Sequence, residues 1–307
     1  MNLLVGATGF VGGHVVEYLF EQGEISRGTF RAGSHLKIMD SSGVQSVEVD
    51  MLDHHSLHEA MEGVDVVYNL ASPMPGADSD FMKVNTEGIL NLLEVSAEAK
   101  VKAFIHLSTL DVYGFGQASV GPSSAPAPSD EYQRSKAEAE RLLQEFAKRS
   151  QSPRVVVVRP ARAVGSRDES LVLPLIRMLK SGKVVLPQSG VMSFTHPRDI
   201  AQAMFKAASS SAASGSVYLV KSFDSSPADL AASLSSELGL KAEVKKEGLF
   251  RGSPLPEYAS KQLKASVKIE VQPNWSELGY APKYDLQGTC QEVAGWYKKD
   301  PWIVNDR

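Results

Sequence analysis

The sequence predicts an α/β protein built around a doubly wound parallel sheet. Short β-rich runs alternate with helical stretches along residues 2–160, which is the pattern of βαβ units. Two of these runs, "VDVVYNLA" and "RVVVVRP", are almost entirely apolar. Strands that are covered by helices on both faces have this composition. We therefore expect a sheet with helices on each side.

The predicted elements follow one another in order. The strands are the runs "NLLVG", "GTFRAG", "VQSVEVD", "VDVVYNLA", "KAFIHLS" and "RVVVVRP". The helices between them are "FVGGHVVEYLFEQG", "SLHEAMEG", "FMKVNTEGILNLLEVSAEAK" and a helix that carries Tyr132. A loop rich in Gly, Pro and Ser, residues 114–131, precedes the Tyr132 helix. Loops of this length are usually functional or mobile.

The length of 307 residues is enough for about two domains. We expect the sheet domain to comprise residues 1–160 and about 196–221. A smaller mixed C-terminal domain, about 161–195 and 222–307, would build the substrate pocket.

The composition is that of a soluble globular protein. The net charge of −4 argues against a nucleic-acid-binding protein that relies on bulk charge. The single cysteine, Cys290, can form no internal disulfide. No apolar run reaches the roughly 18 residues of a membrane span, and no secretion signal precedes the first strand. We therefore expect a cytoplasmic protein that binds neither nucleic acid nor membranes.

The stretch "GATGFVG" places three glycines directly after the first strand and at the start of the first helix. Gly6 allows a tight turn, Gly9 lets the backbone approach a pyrophosphate, and Gly12 lets the helix pack closely on the sheet. The first N–H groups of that helix would face the phosphates. The motif predicts a dinucleotide site, and an ordinary strand-to-helix turn is the alternative.

Tyr132 and Lys136 are four residues apart in "YQRSK", so they share one helix face. That face continues at Ala139, which indicates that it points inward. A free tyrosine has a pKa of about 10, and a nearby ammonium lowers the pKa by stabilising the phenolate. The pair predicts proton exchange with a carbonyl or carbinol oxygen while a hydride moves to or from nicotinamide. A chance surface pair is the alternative.

An ordered set of motifs resembles the extended short-chain dehydrogenase/reductase superfamily, which includes nucleotide-sugar epimerases and dehydratases. The motifs are "GATGFVGG", "KVNTEGILNLLE", "HLSTLDVYG", "YQRSK", "RPARAVG" and "LGYAPKYDLQGTCQEVAGWY". The resemblance implies a Rossmann-type sheet domain. It also implies catalysis by Tyr132 as acid/base, Lys136 beside it, and Thr109 on the reacting oxygen. Relatives of this kind commonly form homodimers through a four-helix contact that includes the tyrosine helix.

The cofactor residues are predicted from the glycine turn, the strand ends and the resemblance. They are Gly6, Thr8, Gly9, Phe10, Val11, Gly12, Arg31, Asp50, Met51, Leu70, Ala71, Ser72, Asn85, Lys136 and Pro160. The second strand ends at Arg31 without a following acid, and Arg27, His35 and Lys37 add positive charge nearby. NAD sites place an acid here, whereas an arginine suits the 2′-phosphate of NADP. We therefore favour NADP(H) over NAD(H), with a solvated arginine as the alternative.

Four residues are candidates for substrate contact: Ser108, Asp111, Arg162 and His196. Nucleotide-sugar enzymes often have an asparagine at the position of Arg162. This arginine could bind a diphosphate or a carboxylate, or form a salt bridge with Asp168. Related 4,6-dehydratases carry two adjacent acids after the threonine, and one of them is Leu110 here, so elimination of water is not expected.

Three functional classes remain open. The favoured reading is NAD(P)-dependent hydride transfer on a nucleotide sugar, as an epimerase or reductase. The second is a net NADPH-dependent ketone or aldehyde reductase that acts on an alicyclic or phenolic substrate. The third is a non-catalytic NADP(H) sensor, which the intact tyrosine and lysine disfavour. The spacing of His54 and His58 can suit a metal, but no third ligand is apparent, so no metal site is expected.

Overall fold

The fold is described from a computed structural model of the chain. The described residues are 1–34, 36–73, 80–150, 152–246, 254–270 and 275–299. They form fourteen strands: β1 (Asn2–Val5), β2 (Ser26–Phe30), β3 (Gln45–Glu48), β4 (Val66–Asn69), β5 (Ala103–Leu107), β6 (Ser119–Val120), β7 (Arg154–Pro160), β8 (Arg162–Ala163), β9 (Lys183–Leu186), β10 (Met192–Thr195), β11 (Ser216–Val220), β12 (Phe223–Ser225), β13 (Glu243–Lys246) and β14 (Lys268–Ile269).

The same residues form eleven α-helices and two short turns of other helical types. The helices are α1 (Phe10–Glu21), α2 (Lys37–Ser41), α3 (His54–Ala60), α4 (Gly88–Glu98), α5 (Glu131–Arg149), α6 (Val172–Lys180), α7 (Pro197–Ser209), α8 (Pro227–Leu238), α9 (Glu257–Ala265), α10 (Trp275–Leu278) and α11 (Leu286–Lys299). A π-helical turn, Lys83–Glu87, leads into α4, and a 3₁₀ turn, Leu110–Tyr113, follows β5.

The central element is a seven-stranded sheet with the strand order β11–β7–β5–β4–β1–β2–β3. Every neighbouring pair in it is parallel. The order of the strands reverses between β1 and β4, so the chain winds outward in both directions from that point. The predicted doubly wound sheet is confirmed. Ligands of such sheets bind in the crevice beyond the carboxyl ends of the strands at this reversal.

Apolar side chains fill both faces of the sheet, which explains the unbroken apolar runs in the sequence. One face packs against α1 and α7 and includes Leu4, Val158 and Met204. The other face packs against α3, α4 and α5 and includes Phe104 and Leu143. Helices therefore cover the sheet from both sides and leave the carboxyl edge as the accessible place for a site.

A smaller C-terminal domain packs beside the sheet and has its own apolar core, which includes Ile176, Phe194, Leu234 and Leu263. It contains a three-stranded sheet in the order β12–β10–β8 and a parallel pair of β9 and β13. The last pair, β6 with β14, joins the loop before α5 to the C-terminal part of the chain. The bounds predicted for the two domains stay a prediction.

The histidines around α3 contact other side chains. Asp53 caps α3 by accepting hydrogen bonds from the N–H groups of His55 and Ser56, and His54 and His58 contact Asn91 and Glu98 instead of each other. Within the described ranges, no group of three or more His, Cys, Asp or Glu residues could hold a metal ion. None of the described helices is long and apolar enough to cross a membrane.

Candidate active site

The turn between β1 and α1 brings the backbone very close to the end of β4. Gly6 has a φ of +88°, in the left-handed region that favours glycine, and a Cβ on it would lie 2.8 Å from the Ala71 nitrogen. A Cβ on Gly12 would lie 2.1 Å from the Gly6 carbonyl oxygen. Both glycines are therefore needed for the approach of α1 to the crevice between β1 and β4.

The first turn of α1 offers free N–H groups to this crevice. Gly9 precedes the 12-residue helix, and no side chain caps it. The Gly13 N–H donates to the Gly9 carbonyl at 2.9 Å. In the part of the chain that the structure describes, the N–H groups of Phe10, Val11 and Gly12 have no protein acceptor. Such groups bind anions, so these residues fit the pyrophosphate of a dinucleotide.

The other predicted cofactor residues border the same edge of the sheet. They are Thr8 in the glycine turn, Asp50 and Met51 after β3, Leu70, Ala71 and Ser72 after β4, and Pro160 at the end of β7. Asn85 lies on the π-helical turn, is fully buried, and donates from Nδ2 to the Ser135 hydroxyl at 2.9 Å. Its Oδ1 is buried and has no partner among the described residues. The cofactor roles of these residues stay predictions.

The end of β2 presents one exposed arginine. Arg31 directly follows the strand, and its backbone exchanges hydrogen bonds with Ser34. Arg27 differs from our expectation, because it lies at the start of β2 and donates to Gln45 and to the carbonyl oxygens of Ala60 and Glu62. Arg27 therefore adds no free charge at the carboxyl end of the strand. Lys37 begins α2 and is exposed, whereas His35 lies outside the described residues.

Tyr132 and Lys136 lie in the first turns of α5. Asp130 caps this helix by accepting from the Gln133 N–H at 2.8 Å. Lys136 is only 2% exposed, and its Nζ donates to the Leu107 carbonyl oxygen at 2.8 Å. Since Leu107 ends β5, this bond joins the tyrosine helix to the segment that contains Thr109.

The pKa of Tyr132 contradicts the simple expectation of a lowered value. Burial raises it, the nearby carboxylates of Asp111 and Asp130 add to the increase, and the Arg162 guanidinium opposes it. Burial also lowers the pKa of Lys136 to about 8, although the Glu140 carboxylate opposes this shift. The expected lowering of the tyrosine pKa is therefore wrong for this arrangement, because burial and the two carboxylates outweigh the Arg162 guanidinium.

The structure distinguishes the two hydroxyl groups that follow β5. The Ser108 hydroxyl donates to Glu140, which is also held by Arg159 through bidentate hydrogen bonds. The Thr109 hydroxyl oxygen instead accepts from the Asp111 N–H at 3.2 Å. A hydroxyl has one proton to donate, and that of Thr109 is not used by this bond. Thr109 is therefore the better placed donor for a substrate oxygen.

Helix α9 of the C-terminal domain covers the tyrosine. Tyr258 packs edge-on against Tyr132 with ring centroids 5.4 Å apart, and its hydroxyl donates to Asp111 Oδ2 at 3.0 Å. Gln262 donates to the same oxygen at 2.7 Å. Two further rings contact these tyrosines: Phe81 packs edge-on against Tyr132, and Phe115 packs against Tyr258 with a tilted ring. Burial raises the pKa of Asp111 although both of its hydrogen bonds lower it.

Arg162 forms the salt bridge that the sequence offered as an alternative. Its Nη2 lies 3.2 Å from Asp168 Oδ2 and 2.7 Å from the Ser170 hydroxyl. The side chain is 9% exposed, and its Nε is buried without a partner among the described residues. One side of the guanidinium is therefore fixed.

His196 caps α7 and lies in a buried cluster between the two domains. Its ring is fully buried, and Nε2 lies 3.4 Å from Glu292 Oε2. Glu292, on α11, also accepts from the N–H and the hydroxyl of Ser166, which in turn binds His14 through its carbonyl oxygen. His196 therefore has the surroundings of a structural residue, and its predicted contact with substrate stays a prediction.

Four residues of the site were not identified from the sequence. They are Asn69, His106, Tyr258 and Gln262. His106 is a single polar residue inside the apolar run "KAFIHLS", and this contrast was the available signal. Tyr258 and Gln262 share a helix face by their spacing, but nothing in the sequence indicates that this face meets Asp111.

The parallel sheet, the glycine turn and the tyrosine–lysine helix together define the class of Rossmann-type dinucleotide-binding proteins. A model of the NAD dependent epimerase/dehydratase family matches residues 2–220. The chain belongs to this family. Its relatives include one protein that is named as an epimerase and one that is named as a sterol demethylase.

Two curated relatives and one solved structure illustrate the similarity. Sterol demethylase protein B of Methylococcus capsulatus is 29% identical over 65% of this chain and 63% of that protein. The N-acetyl-alpha-D-glucosaminyl-diphospho-ditrans,octacis-undecaprenol 4-epimerase of Escherichia coli O157:H7 is 27% identical over 61% of this chain and 56% of that protein. The matches span less than two thirds of either relative.

The solved structure is the UDP-glucose-4-epimerase of Stenotrophomonas maltophila with bound NAD and formylated UDP-arabinopyranose. It matches with a TM-score of 0.84 and covers 98% of this chain and 99% of that chain. At 19% identity it shows a shared fold.

Proposed function

We propose that the protein is an NAD(P)-dependent enzyme that transfers a hydride at a carbinol or carbonyl carbon. The observation that carries the proposal is the bond from Lys136 Nζ to the Leu107 carbonyl at 2.8 Å. It places the tyrosine helix against the Thr109 segment, beside the crevice that fits a dinucleotide. The nicotinamide, when bound, accepts or supplies the hydride.

The residues of the chain handle the proton. Thr109 donates a hydrogen bond to the reacting oxygen and orients it. Because the pKa of Tyr132 is raised, its phenol is protonated near neutrality and can give a proton to the alkoxide formed by reduction. The phenol O–H bond breaks, the carbinol O–H bond forms, and the phenolate is left one helical turn before Lys136 on α5. Oxidation of a carbinol uses the same groups in reverse.

The proton-transfer role is tested with Tyr132→Phe. This change keeps the ring against Phe81 and Tyr258 but removes the phenolic proton. We expect turnover to fall by about 100- to 10,000-fold, the usual contribution of a general acid or base, with unchanged dinucleotide binding. Retained turnover would remove Tyr132 from the chemistry. Loss of dinucleotide binding would assign it to the cofactor site.

We further propose that NADP(H) is preferred over NAD(H). Support comes from Arg31, an exposed arginine at the end of β2 with no acid in the four residues that follow β2. A guanidinium at this point can bind the 2′-phosphate with charge-assisted hydrogen bonds. Such bonds contribute about 1.5–3 kcal/mol, which is roughly a 10- to 100-fold preference.

The preference is measured by titrating NADPH and NADH into the wild type and two variants. Arg31→Ala should weaken NADPH binding by about 10- to 100-fold and leave NADH unchanged. Arg27→Ala is the matched control, because this neighbouring arginine is held by backbone carbonyls and its loss should leave the ratio unchanged. A wild type that binds NADH more tightly would overturn the proposal.

For the substrate, we propose a nucleotide sugar, supported by the family and by the resemblance of the ordered motifs to nucleotide-sugar epimerases. The 4-epimerase of Escherichia coli O157:H7 is named for a sugar that is joined through a diphosphate to a lipid, so it supports a diphosphate-linked sugar only in general terms. A second candidate is a net reductase or dehydrogenase that acts on an apolar ring. The observation that favours it is an aromatic cluster at Tyr132, in which Phe81 and Tyr258 contact the Tyr132 ring and Phe115 contacts Tyr258. Rings of this kind bind apolar ring systems well.

The nucleotide released on denaturation of freshly purified protein separates these candidates. An epimerase returns the hydride within one turnover, so near-stoichiometric retained nucleotide would support the nucleotide sugar. Little retained nucleotide, together with NADPH oxidation by a cyclic ketone but not by a keto sugar nucleotide, would support the net reductase. Tight NADP(H) binding with no turnover on either substrate class would support the sensor.

The homodimer and the cytoplasmic location also remain proposals. The similarity to enzymes that pair through the tyrosine helix motivates the dimer, and Leu90 on the adjacent α4 is an exposed apolar residue. Light scattering should give about twice the chain mass of 33.2 kDa. A mass equal to one chain would exclude the dimer.

A further inference from the structure

A series of hydrogen-bonded polar groups crosses the interior behind the tyrosine helix. The Ala71 N–H donates to Asn69 Oδ1 at 3.2 Å, and Asn69 Nδ2 lies 3.2 Å from His106 Nδ1. His106 Nε2 lies 3.4 Å from Lys136 Nζ. Asn69 and His106 are fully buried. These contacts join the crevice at the end of β4 to Lys136, one turn from Tyr132.

The hydrogen-bonding capacity of these groups fixes where the imidazole proton lies. Since Asn69 Oδ1 accepts from a backbone N–H, its Nδ2 must face His106, and an amide nitrogen can only donate. His106 Nδ1 is then the acceptor, and the single proton of the neutral ring lies on Nε2. Burial and the charge of Lys136 lower the pKa of His106 well below its ordinary value, so the ring is neutral.

The Nε2–H of His106 therefore faces Lys136 Nζ. An ammonium cannot accept a hydrogen bond, whereas a neutral amine can. The histidine opposes the charged form of the lysine and favours the neutral form. The Leu107 carbonyl acts in the opposite sense, because it accepts from Nζ on the other side.

We propose that His106, oriented by Asn69, is a positioning residue that sets the ionisation of Lys136, and through it the ease with which Tyr132 exchanges its proton. The inference rests on the proposed function for its catalytic meaning. Its structural content, the His106 tautomer and the Lys136 ionisation, can be measured without turnover.

The other ionisable groups around Lys136 are Glu140, Arg159 and Tyr132. Glu140, one turn further along α5, favours the ammonium but is itself bound by Arg159 from β7. Arg159 also donates to the Tyr113 hydroxyl from the 3₁₀ turn. Tyr132 lies one turn before Lys136 on the same helix. His106 lies on β5, and its effect on the ionisation of Lys136 can be reversed by replacing one nitrogen atom of the neighbouring Asn69 by oxygen.

Asn69→Asp provides that reversal. One carboxylate oxygen can still accept from the Ala71 N–H, while the other accepts from His106 Nδ1. The imidazole proton then moves to Nδ1, and Nε2 becomes an acceptor for the Lys136 ammonium. The pKa of Lys136 should rise from about 8 towards its ordinary range, by at least about one pH unit.

The tautomer is read from two-bond nitrogen–proton spectra of protein labelled with nitrogen-15 histidine. His106 is assigned by the loss of its signals in His106→Gln. We expect the Nε2–H form in the wild type and the Nδ1–H form in Asn69→Asp. His14 is an internal control, since its Nε2 must donate to the Ser166 carbonyl in both proteins. An Nδ1–H form in the wild type, or an unchanged form in the variant, would overturn the proposal.

The lysine is read from its side-chain carbon shift during a pH titration, with the signal assigned in Lys136→Met. A midpoint that stays at the wild-type value in Asn69→Asp would also overturn the proposal. If Asn69→Asp does not fold, His106→Gln replaces it, because its amide oxygen can accept from the ammonium and should also raise the midpoint. Neither measurement uses a substrate. They therefore test the His106 tautomer and the Lys136 ionisation even if the protein shows no turnover in any assay.

Discussion

Replacing Lys136 by methionine should stabilise the protein at neutral pH. The chain buries the lysine to 2% exposure, and burial lowers its pKa from 10.5 to about 8. This difference corresponds to ~3 kcal/mol that the folded protein loses by holding the ammonium. Methionine has a similar length and no charge, but it forfeits the bond from the ammonium to the Leu107 carbonyl, and hydrogen bonds of charged groups contribute about 1.5–3 kcal/mol. We expect Lys136→Met to be more stable by about 1 kcal/mol at pH 7.

The sign of this effect depends on pH. A lysine with a lowered folded-state pKa binds fewer protons in the folded protein than in the unfolded chain between pH 8 and 10.5. The stability of the wild type therefore increases with pH across this window, and the cost of the charge is fully present below it. Near pH 10.5 only the lost hydrogen bond remains, so the variant should become the less stable protein by about 1 kcal/mol.

The assay is chemical denaturation of both proteins at several pH values from 7 to about 10.5, the range set by the two pKa values. Lys148→Met is the control, because Lys148 is exposed near the end of the same helix and has no burial to reverse. Its effect on the free energy of unfolding should be small at every pH. A difference between wild type and Lys136→Met that stays constant across the window would refute the buried cation.

Three further outcomes follow from the packing. Gly12→Ala should abolish dinucleotide binding, because its Cβ would meet a carbonyl oxygen at 2.1 Å. Gly13→Ala should weaken binding only slightly, since the nearest neighbour of its Cβ is a side-chain methyl group. Comparable binding by both variants would contradict this reasoning. Glu292→Gln should lower the free energy of unfolding at pH 7. This loss should shrink as pH falls from 4.5 towards 2, because hydrogen bonds hold the pKa of the Glu292 carboxyl near 2. A loss of stability that does not depend on pH in denaturation curves would disprove this prediction. Tyr258→Phe should cost about 1–2 kcal/mol by removing a donor to buried Asp111, and unchanged unfolding would show that the bond contributes nothing.

The sheet could be predicted because its signals are local. A strand that is buried on both faces must be apolar throughout, and a chain that enters a phosphate-binding turn needs glycine where a Cβ would collide. The Gly6 and Gly12 positions show the second constraint, since each added Cβ would overlap backbone atoms. Each of these requirements is met within a few residues, so a single sequence displays them.

The proton chemistry of the site was only partly predictable. The spacing of Tyr132 and Lys136 indicated a shared inward face, and the structure places the lysine in the interior. The spacing could not give the depth of burial, which raises the tyrosine pKa instead of lowering it. The prediction that Arg27 adds positive charge at the end of β2 was wrong for a related reason, because its partners Ala60 and Glu62 come from another part of the chain.

The cover over Tyr132 depends on contacts that no local pattern contains. Asp111 and Tyr258 are 147 residues apart in sequence, yet their hydrogen bond holds α9 over the reactive tyrosine. The groups that we propose for catalysis come from α5 and from the segment that follows β5, while the cover comes from α9 of the C-terminal domain. Since these groups and the cover belong to separate segments, a change in α9 can alter which ring reaches Tyr132 without disturbing Lys136. Such a division fits the matched relatives, of which one is named for a sugar and another for a sterol.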